Sequence, residues 1–259
     1  MKRLSPHYLN DCEKLNTPQD LCSMRCPIAK VVVMDMAQLA FAVAPGAFLF
    51  AFCCDRRNVR RSVIVLSKLF LLGAAAGIVA GIVENVVEGC FVARIAQAGL
   101  AHDLMKGFVV AGLIEELVKF SVLHARTWKR DCANDELDAI RCAAAISLGF
   151  ATLENLLYFA FVLNGSVSAM GVRTLFSVPG HAMYGVFMGW FYGKAKMAGI
   201  EGRLSSCRVY KVLAVAVPVL AHGMFDYLCF SRNALGVFAV QTVYVVVTFL
   251  CIKRARKLR

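Results

Sequence analysis

Long apolar runs separated by short polar connectors set the pattern of this chain. A run of 18 or more apolar residues reads as a membrane-crossing helix, because about 20 residues rising 1.5 Å each span the hydrocarbon of a bilayer. Seven such segments are predicted, at about 31–54, 62–87, 104–125, 143–163, 173–192, 212–230 and 234–252. No stretch shows the strict two-residue alternation of a membrane β-barrel. The expected fold is therefore all-α, a polytopic helical membrane bundle. Residues 1–30 form a polar tail broken by Pro6, Pro18 and Pro27, residues 31–252 the membrane domain, and residues 253–259 a basic tail. In the second segment Gly73, Gly77 and Gly81 recur every four residues, a spacing that lets a neighbouring helix approach closely.

Composition agrees with that pattern: 59% of the 259 residues are hydrophobic and 18% charged, with a mean hydropathy of +0.64. The net charge of +12 is no nucleic-acid signature, since Lys and Arg fall in the connectors and do not gather on one face. They report topology instead. Connectors 55–61, 126–141 and 193–211 with the C-terminal tail carry 18 Lys and Arg, whereas the opposite side carries 9. The positive-inside rule then places the C-terminus in the cytoplasm and the N-terminal tail outside, with six spans and a re-entrant first segment as the alternative. No cleavable signal peptide is expected, because the first thirty residues hold no apolar core. The eleven cysteines show no repeated spacing that would suggest a disulfide framework, and His7, Cys12, Cys22 and Cys26 match no standard zinc module.

Chemistry enters through the polar residues that interrupt the apolar segments. A charge at mid-membrane costs about 2.5–3.5 kcal/mol on insertion scales, so such residues usually face a protein-lined or wet interior. The third segment carries Glu115, Glu116 and Lys119, the fourth Glu154, Asn155 and Tyr158, the fifth His181 after Pro179 and Gly180, and the sixth His222 and Asp226. Glu115, Glu154, His181 and His222 each lie roughly 8–11 residues from the outer end of their segments, about 12–16 Å along a helix. Four segments thus bring costly residues to one depth. Glu115 with Lys119, Glu154 with Tyr158 and His222 with Asp226 are four apart and share a helix face, while Glu116 points about 100° from Glu115 toward another neighbour. Pro179-Gly180 is expected to open the helix above His181, which a membrane tolerates only against protein or water. Asp35, Glu84 and Glu88 fall near predicted segment ends and receive no chemistry.

Carboxylates and imidazoles around a buried water permit hydrolysis. A carboxylate can take a proton from water and return it to a leaving amine, while an imidazole and the Asn155 amide stabilise an oxyanion. The same residues could instead hold zinc, with Glu115, Glu154, His181 and His222 as ligands, although no HExxH motif is present. Intramembrane Glu, Lys and His also build proton relays, so a proton-coupled transporter is the alternative from another class, but no internal repeat supports it.

The stretches GLIEELVKF, LGFATLENLLYF, RTLFSVPGHAMYGVFMGW and LAHGMFDYLCF resemble, in order and spacing, the four motifs of the PrsW-type intramembrane proteases, relatives of the type II CAAX prenyl proteases. APGAFLFAFCCDRR looks like the start of the same family. The resemblance implies that Glu115, Glu116, Glu154, His181 and His222 form the catalytic set, with Lys119, Asn155, Tyr158 and Asp226 in support. It also implies a membrane-anchored protein substrate cut near or within the bilayer, in bacteria typically an anti-sigma factor. A prenyl-protein endopeptidase is the alternative within the same fold. The chain departs from the pattern at Ile114, where many members carry a third acid, and at Phe225, where Trp is common. Within the pair, Glu115 is read as the water-activating base and Glu116 as a supporting acid, and the exchanged assignment fits the sequence nearly as well.

Overall fold

The computed structural model describes residues 36–54, 59–90, 99–130, 132–133, 135–162 and 167–258. The polar tail with His7 and its cysteines, Asp35 and most of the first basic connector lie outside the described residues. Among the described residues the chain forms seven successive helical rods and no strand, in the predicted order. The rods are α1 (Met36–Cys53), α2 (Val59–Cys90), a third rod of α3 (Leu100–Leu104), a π-helical turn sequence (Met105–Ile114) and α4 (Glu115–Thr127), then α5 (Glu136–Phe161). A fifth rod comprises α6 (Val167–Val172), a second π-helical stretch (Arg173–Ser177) and α7 (Val178–Ile200), followed by α8 (Leu204–Phe230) and α9 (Ala234–Lys257).

Several helices outrun the apolar segments that predict them. α5 starts seven residues before its predicted apolar segment because Asp135 caps it, its carboxylate accepting from the Asp138 amide at 2.7 Å, with Glu136 and Asp138 in the first turn. The connector expected over 193–211 contracts to 201–203, turned by Gly202 at φ 72°, a conformation that suits glycine. α9 carries Arg254, Arg256 and Lys257 in its last turn, so most of the basic tail is helical.

α5 and α7 make the centre of the bundle; α1 and α2 pack on α5, and α8 and α9 on α7. Among the described residues five helices are long and apolar enough to cross a membrane. Of these α5 is 61% buried inside the protein and α9 only 6%, so α9 relies on lipid to cover its apolar surface. α7 falls outside the five. Its Gly, His, Tyr and Lys residues suit a helix surrounded by protein. Its glycines at four-residue spacing let the two central backbones touch: a Cβ on Gly185 would lie 2.9 Å from Ala144 Cα, and one on Gly193 2.7 Å from Glu136 Cα. The α2 stripe packs on α5 at Gly73, where a Cβ would overlap the carbonyl of Ile146, and at Gly77, whereas a Cβ on Gly81 would meet nothing among the described residues.

The helix above His181 does not break at Pro179-Gly180. Pro179 sits in the first turn of α7, and the chain widens just before it, with the Val178 amide donating to the Arg173 carbonyl five residues back. Proline offers no amide to the carbonyl four residues earlier, and a π turn absorbs the mismatch without a gap.

Candidate active site

Lys119 is the hub of the polar cluster. Its fully buried ammonium donates to Glu115 Oε2 at 3.0 Å and to Glu116 Oε1 at 2.8 Å, both on its own helix face. It also lies 3.0 Å from His181 Nδ1 on α7 and 4.0 Å from the centre of the Phe150 ring on α5. Glu116 meets a different neighbour, as its position one residue round the helix demands: His222 Nδ1 on α8 at 2.9 Å. Glu115 Oε2 stands 4.0 Å from His181 Nδ1 and 3.9 Å from His222 Nδ1, too far for a hydrogen bond to either.

The two imidazoles are held alike. Each turns Nδ1 toward the glutamates and rests Nε2 on a carboxylate further out, His181 on Glu154 Oε2 at 2.9 Å and His222 on Asp226 Oδ2 at 3.2 Å. The rings cross at 4.9 Å, and Tyr184 stacks on His222 at 4.8 Å. Such outer carboxylates fix ring orientation and raise the basicity of the inward nitrogen.

Glu154 is clamped on its other oxygen by Arg173, at 2.9 Å. The same guanidinium donates through Nε to Asn155 Oδ1 at 3.2 Å and lies 3.6 Å over the Tyr158 ring. Tyr158 therefore supports Arg173 and reaches Glu154 only through it. Because Asn155 Oδ1 is taken by Arg173, its amide NH2 is left as a buried donor without a described partner. Glu116 Oε2 and the Tyr184 hydroxyl are likewise buried and unpartnered among the described residues. Buried polar groups are rarely left so unless something else binds there.

Three members of this neighbourhood escape the sequence reading. Arg173 was taken for a segment edge, but it shares a face with Ser177 and His181 at four-residue spacing, and it donates to the Ser177 hydroxyl at 3.3 Å. Tyr184 lies three residues beyond His181, one turn along α7. Glu84 continues the buried face of α2 beyond Ala76 and Ala80, and its half-buried carboxylate is in electrostatic reach of Glu115, Glu154, Lys119 and His222.

A compact donor set consists of Glu115, Glu116, His181 and His222, all buried, with ligand atoms within 4.8 Å of one another. Glu154 stands outside it, engaged by Arg173 and the far nitrogen of His181. Nitrogen and carboxylate donors, the orphaned Glu116 Oε2 and the carboxylate behind each imidazole all fit a divalent ion such as zinc. Charge points the same way: among the described residues the carboxylates of Glu115, Glu116, Glu154 and Asp226 face Lys119 and Arg173 as their permanent cations.

The fold defines a polytopic helical membrane protein with a cluster of carboxylates and imidazoles buried inside it. The sequence model of the family described as PrsW family intramembrane metalloprotease matches residues 61–252, and the chain belongs to that family. It is 32% identical over 192 residues to the protease PrsW of Clostridioides difficile, covering 74% of this chain and 77% of that one. It is 28% identical to the protease PrsW of Halalkalibacterium halodurans, over 84% of this chain and 95% of the relative, and 27% identical to that of Bacillus subtilis, over 86% and 96%. No solved structure matches. The family makes this protein an intramembrane peptidase, and the transporter alternative gains nothing from these relatives.

Proposed function

We propose that the cluster is the proteolytic centre, with Glu115 as general base and Glu116, His181 and His222 as the residues that would hold a divalent metal ion. The observation that carries this division is the pairing pattern: Glu116 is tied to Lys119 and His222, whereas Glu115 faces both imidazoles from about 4 Å with Lys119 as its recorded partner. In this reading the nucleophile is a water held by Glu115 beside the imidazoles. Glu115 takes a proton from this water as its oxygen attacks the scissile carbonyl, then delivers the proton to the departing amine. The Asn155 amide and the Tyr184 hydroxyl, both buried donors without partners among the described residues, are assigned to stabilise the developing oxyanion. Glu154 and Asp226 orient the imidazoles, and Arg173 holds Glu154 in place. A divalent ion bound here would supply Lewis acidity to the same water and carbonyl.

The substrate is a membrane-anchored protein cut near or within the bilayer, such as an anti-sigma factor in a regulated response, and the chain acts in the cell membrane with its C-terminus in the cytoplasm. Cleavage of a single-pass substrate in proteoliposomes, read together with bound metal by mass spectrometry, tests this reading. Glu115→Gln is expected to abolish cleavage and keep the metal, while Glu116→Gln loses both. Full cleavage by Glu115→Gln would overturn the assignment.

A further inference from the structure

The rods that carry Glu116 and His222 are pressed together at one level and parted at another. The π-helical stretch before Glu115 meets α8 backbone to backbone: a Cβ on Gly107 would lie 2.8 Å from the Gly223 carbonyl oxygen, and one on Gly112 2.9 Å from that of Val219. From there toward the C-terminal end of α4 the rods diverge and leave a groove of about 600 Å³. Its walls are apolar, formed by Leu113, Leu117 and Phe120 on one side and Val212, Val215 and Val219 on the other. Leu117 is 42% and Val212 66% exposed, so no helix of the described chain covers them.

The end of the groove away from the glycine contact is basic. His124 and Lys211 line it, and Lys211 lies 3.7 Å over the Trp128 ring. Arg208 is exposed less than one turn before Lys211 on α8. Among the described residues neither Lys211 nor Arg208 is ion-paired with a carboxylate, and His124 Nδ1 is buried without a partner. The Lys and Arg count assigns this end to the cytoplasmic face, where anionic lipids concentrate and basic pockets between helices take their headgroups.

We propose that the seam between α4 and α8 is a binding site for an anionic phospholipid, one acyl chain lying along the groove and the phosphate held by Lys211 and Arg208. The charge of the groove favours a lipid over a peptide helix: an apolar trough along α8 from Val212 to Leu220 that ends at Lys211 and Arg208 matches an acyl chain carrying an anionic headgroup, whereas an apolar peptide helix would leave those two cations unmet. The site has a consequence for catalysis that rests on the proposed function: Leu117 adjoins Glu116, and Val219 lies one turn before His222. A chain wedged between the rods therefore sets the separation of that pair, and the lipid couples membrane composition to cleavage.

Binding is measurable without any substrate. The full chain is placed in nanodiscs of phosphatidylcholine with a minor fraction of phosphatidylglycerol, and retained lipid is counted by native mass spectrometry and photo-crosslinking. Phosphatidylglycerol is expected to be retained selectively, with crosslinks to the groove. Lys211→Gln with Arg208→Gln is expected to weaken retention on the order of twentyfold, since each basic residue near an anionic surface contributes about a fivefold factor. Ala216→Trp, which fills the groove, is expected to remove the crosslink, and Lys253→Gln with Arg254→Gln to change nothing. Equal retention of the two lipids, or wild-type retention by the Lys211/Arg208 variant, would overturn the proposal. Because the readout is binding, it stands or falls separately from the assignment of the catalytic centre.

Discussion

Two lysines sit buried near opposite ends of α7, and they behave differently. Lys119, on α4 beside His181, donates to two carboxylates and approaches an imidazole. Lys196, fifteen residues further along α7 than His181, donates to two backbone carbonyls, Thr127 at 3.1 Å and Arg130 at 2.6 Å. Thr127 ends α4, so Lys196 satisfies carbonyls that the helix terminus leaves open, as basic side chains near C-termini do. Around it Thr127 also donates to Leu123 and pairs with the Tyr192 hydroxyl at 2.9 Å, a closed network. The Lys119 network is open: among the described residues it leaves Glu116 Oε2, the Asn155 amide and the Tyr184 hydroxyl unpartnered. Burial of a charge alone therefore does not separate the two lysines, whereas the convergence of several acids and imidazoles with unfinished hydrogen bonds does.

The sharpest break between the two ends is chemical. Glu115→Gln is expected to lower single-turnover cleavage in proteoliposomes on the order of a thousandfold, within the range that a positioned general base contributes. Lys196→Met, normalised to folded protein, is expected to cleave within about twofold of wild type. A comparable loss in both variants would mean that the Lys196 end also shapes the reacting centre.

Stability separates the lysines next. Lys119→Met leaves two buried carboxylates without their shared cation, and breaking such a pair costs about 3–5 kcal/mol. Lys196→Met leaves two carbonyls unsatisfied, at about 1–3 kcal/mol. Thermal midpoints in detergent should fall further for Lys119→Met. Added zinc should restore that variant more than it raises wild type, because a divalent ion replaces the missing charge. No response to zinc in Lys119→Met would argue against metal binding at this cluster. Glu84→Gln ranks below both, with cleavage within about tenfold of wild type and folding kept, since the amide preserves the side chain's shape and Glu84 stands outside the hydrogen-bonded cluster among the described residues.

The seven rods and their order were legible because hydropathy over 18 or more residues is a strong signal in a membrane. The convergence of Glu115, His181 and His222 was legible as well, since each interrupts an apolar run at a similar depth. Helix extensions such as α5 beginning at Glu136 were not, because capping carries helices past the hydrocarbon where hydropathy is silent. The π-helical stretches leave only indirect marks, Pro179 for one and none identified for the other. Arg173 was hidden by distance: its partner Glu154 lies nineteen residues away, and only tertiary packing brings them to 2.9 Å. Glu84 looked like a segment end because α2 runs on to Cys90. Lys196, inside a predicted polar connector, carried no signal of burial.

The smallest expected effect lies in the connector next to Lys196 and reads the difference between the lysines electrostatically. Cys132, half-buried between α4 and α5, has its thiol pKa lowered to about 6, by hydrogen bonding with Cys142 first and then by the positive charges of Lys196 and Arg130, against the opposing effect of burial. The protonated thiol is neutral and the thiolate negative, so a nearby cation favours the thiolate and removing it raises the pKa. Lys196→Met is therefore expected to move the pH midpoint of Cys132 alkylation upward, slowing labelling several-fold at pH 6.5 while the rates converge above pH 9, where the thiolate dominates in both proteins. Lys119→Met, whose charge belongs to the other network, should leave the midpoint in place. Peptide mapping by mass spectrometry isolates the Cys132 signal from the other thiols. An unchanged midpoint in Lys196→Met would show that the lysine charge is absorbed by the carbonyls it binds and that Cys142 and Arg130 hold the thiol low without it.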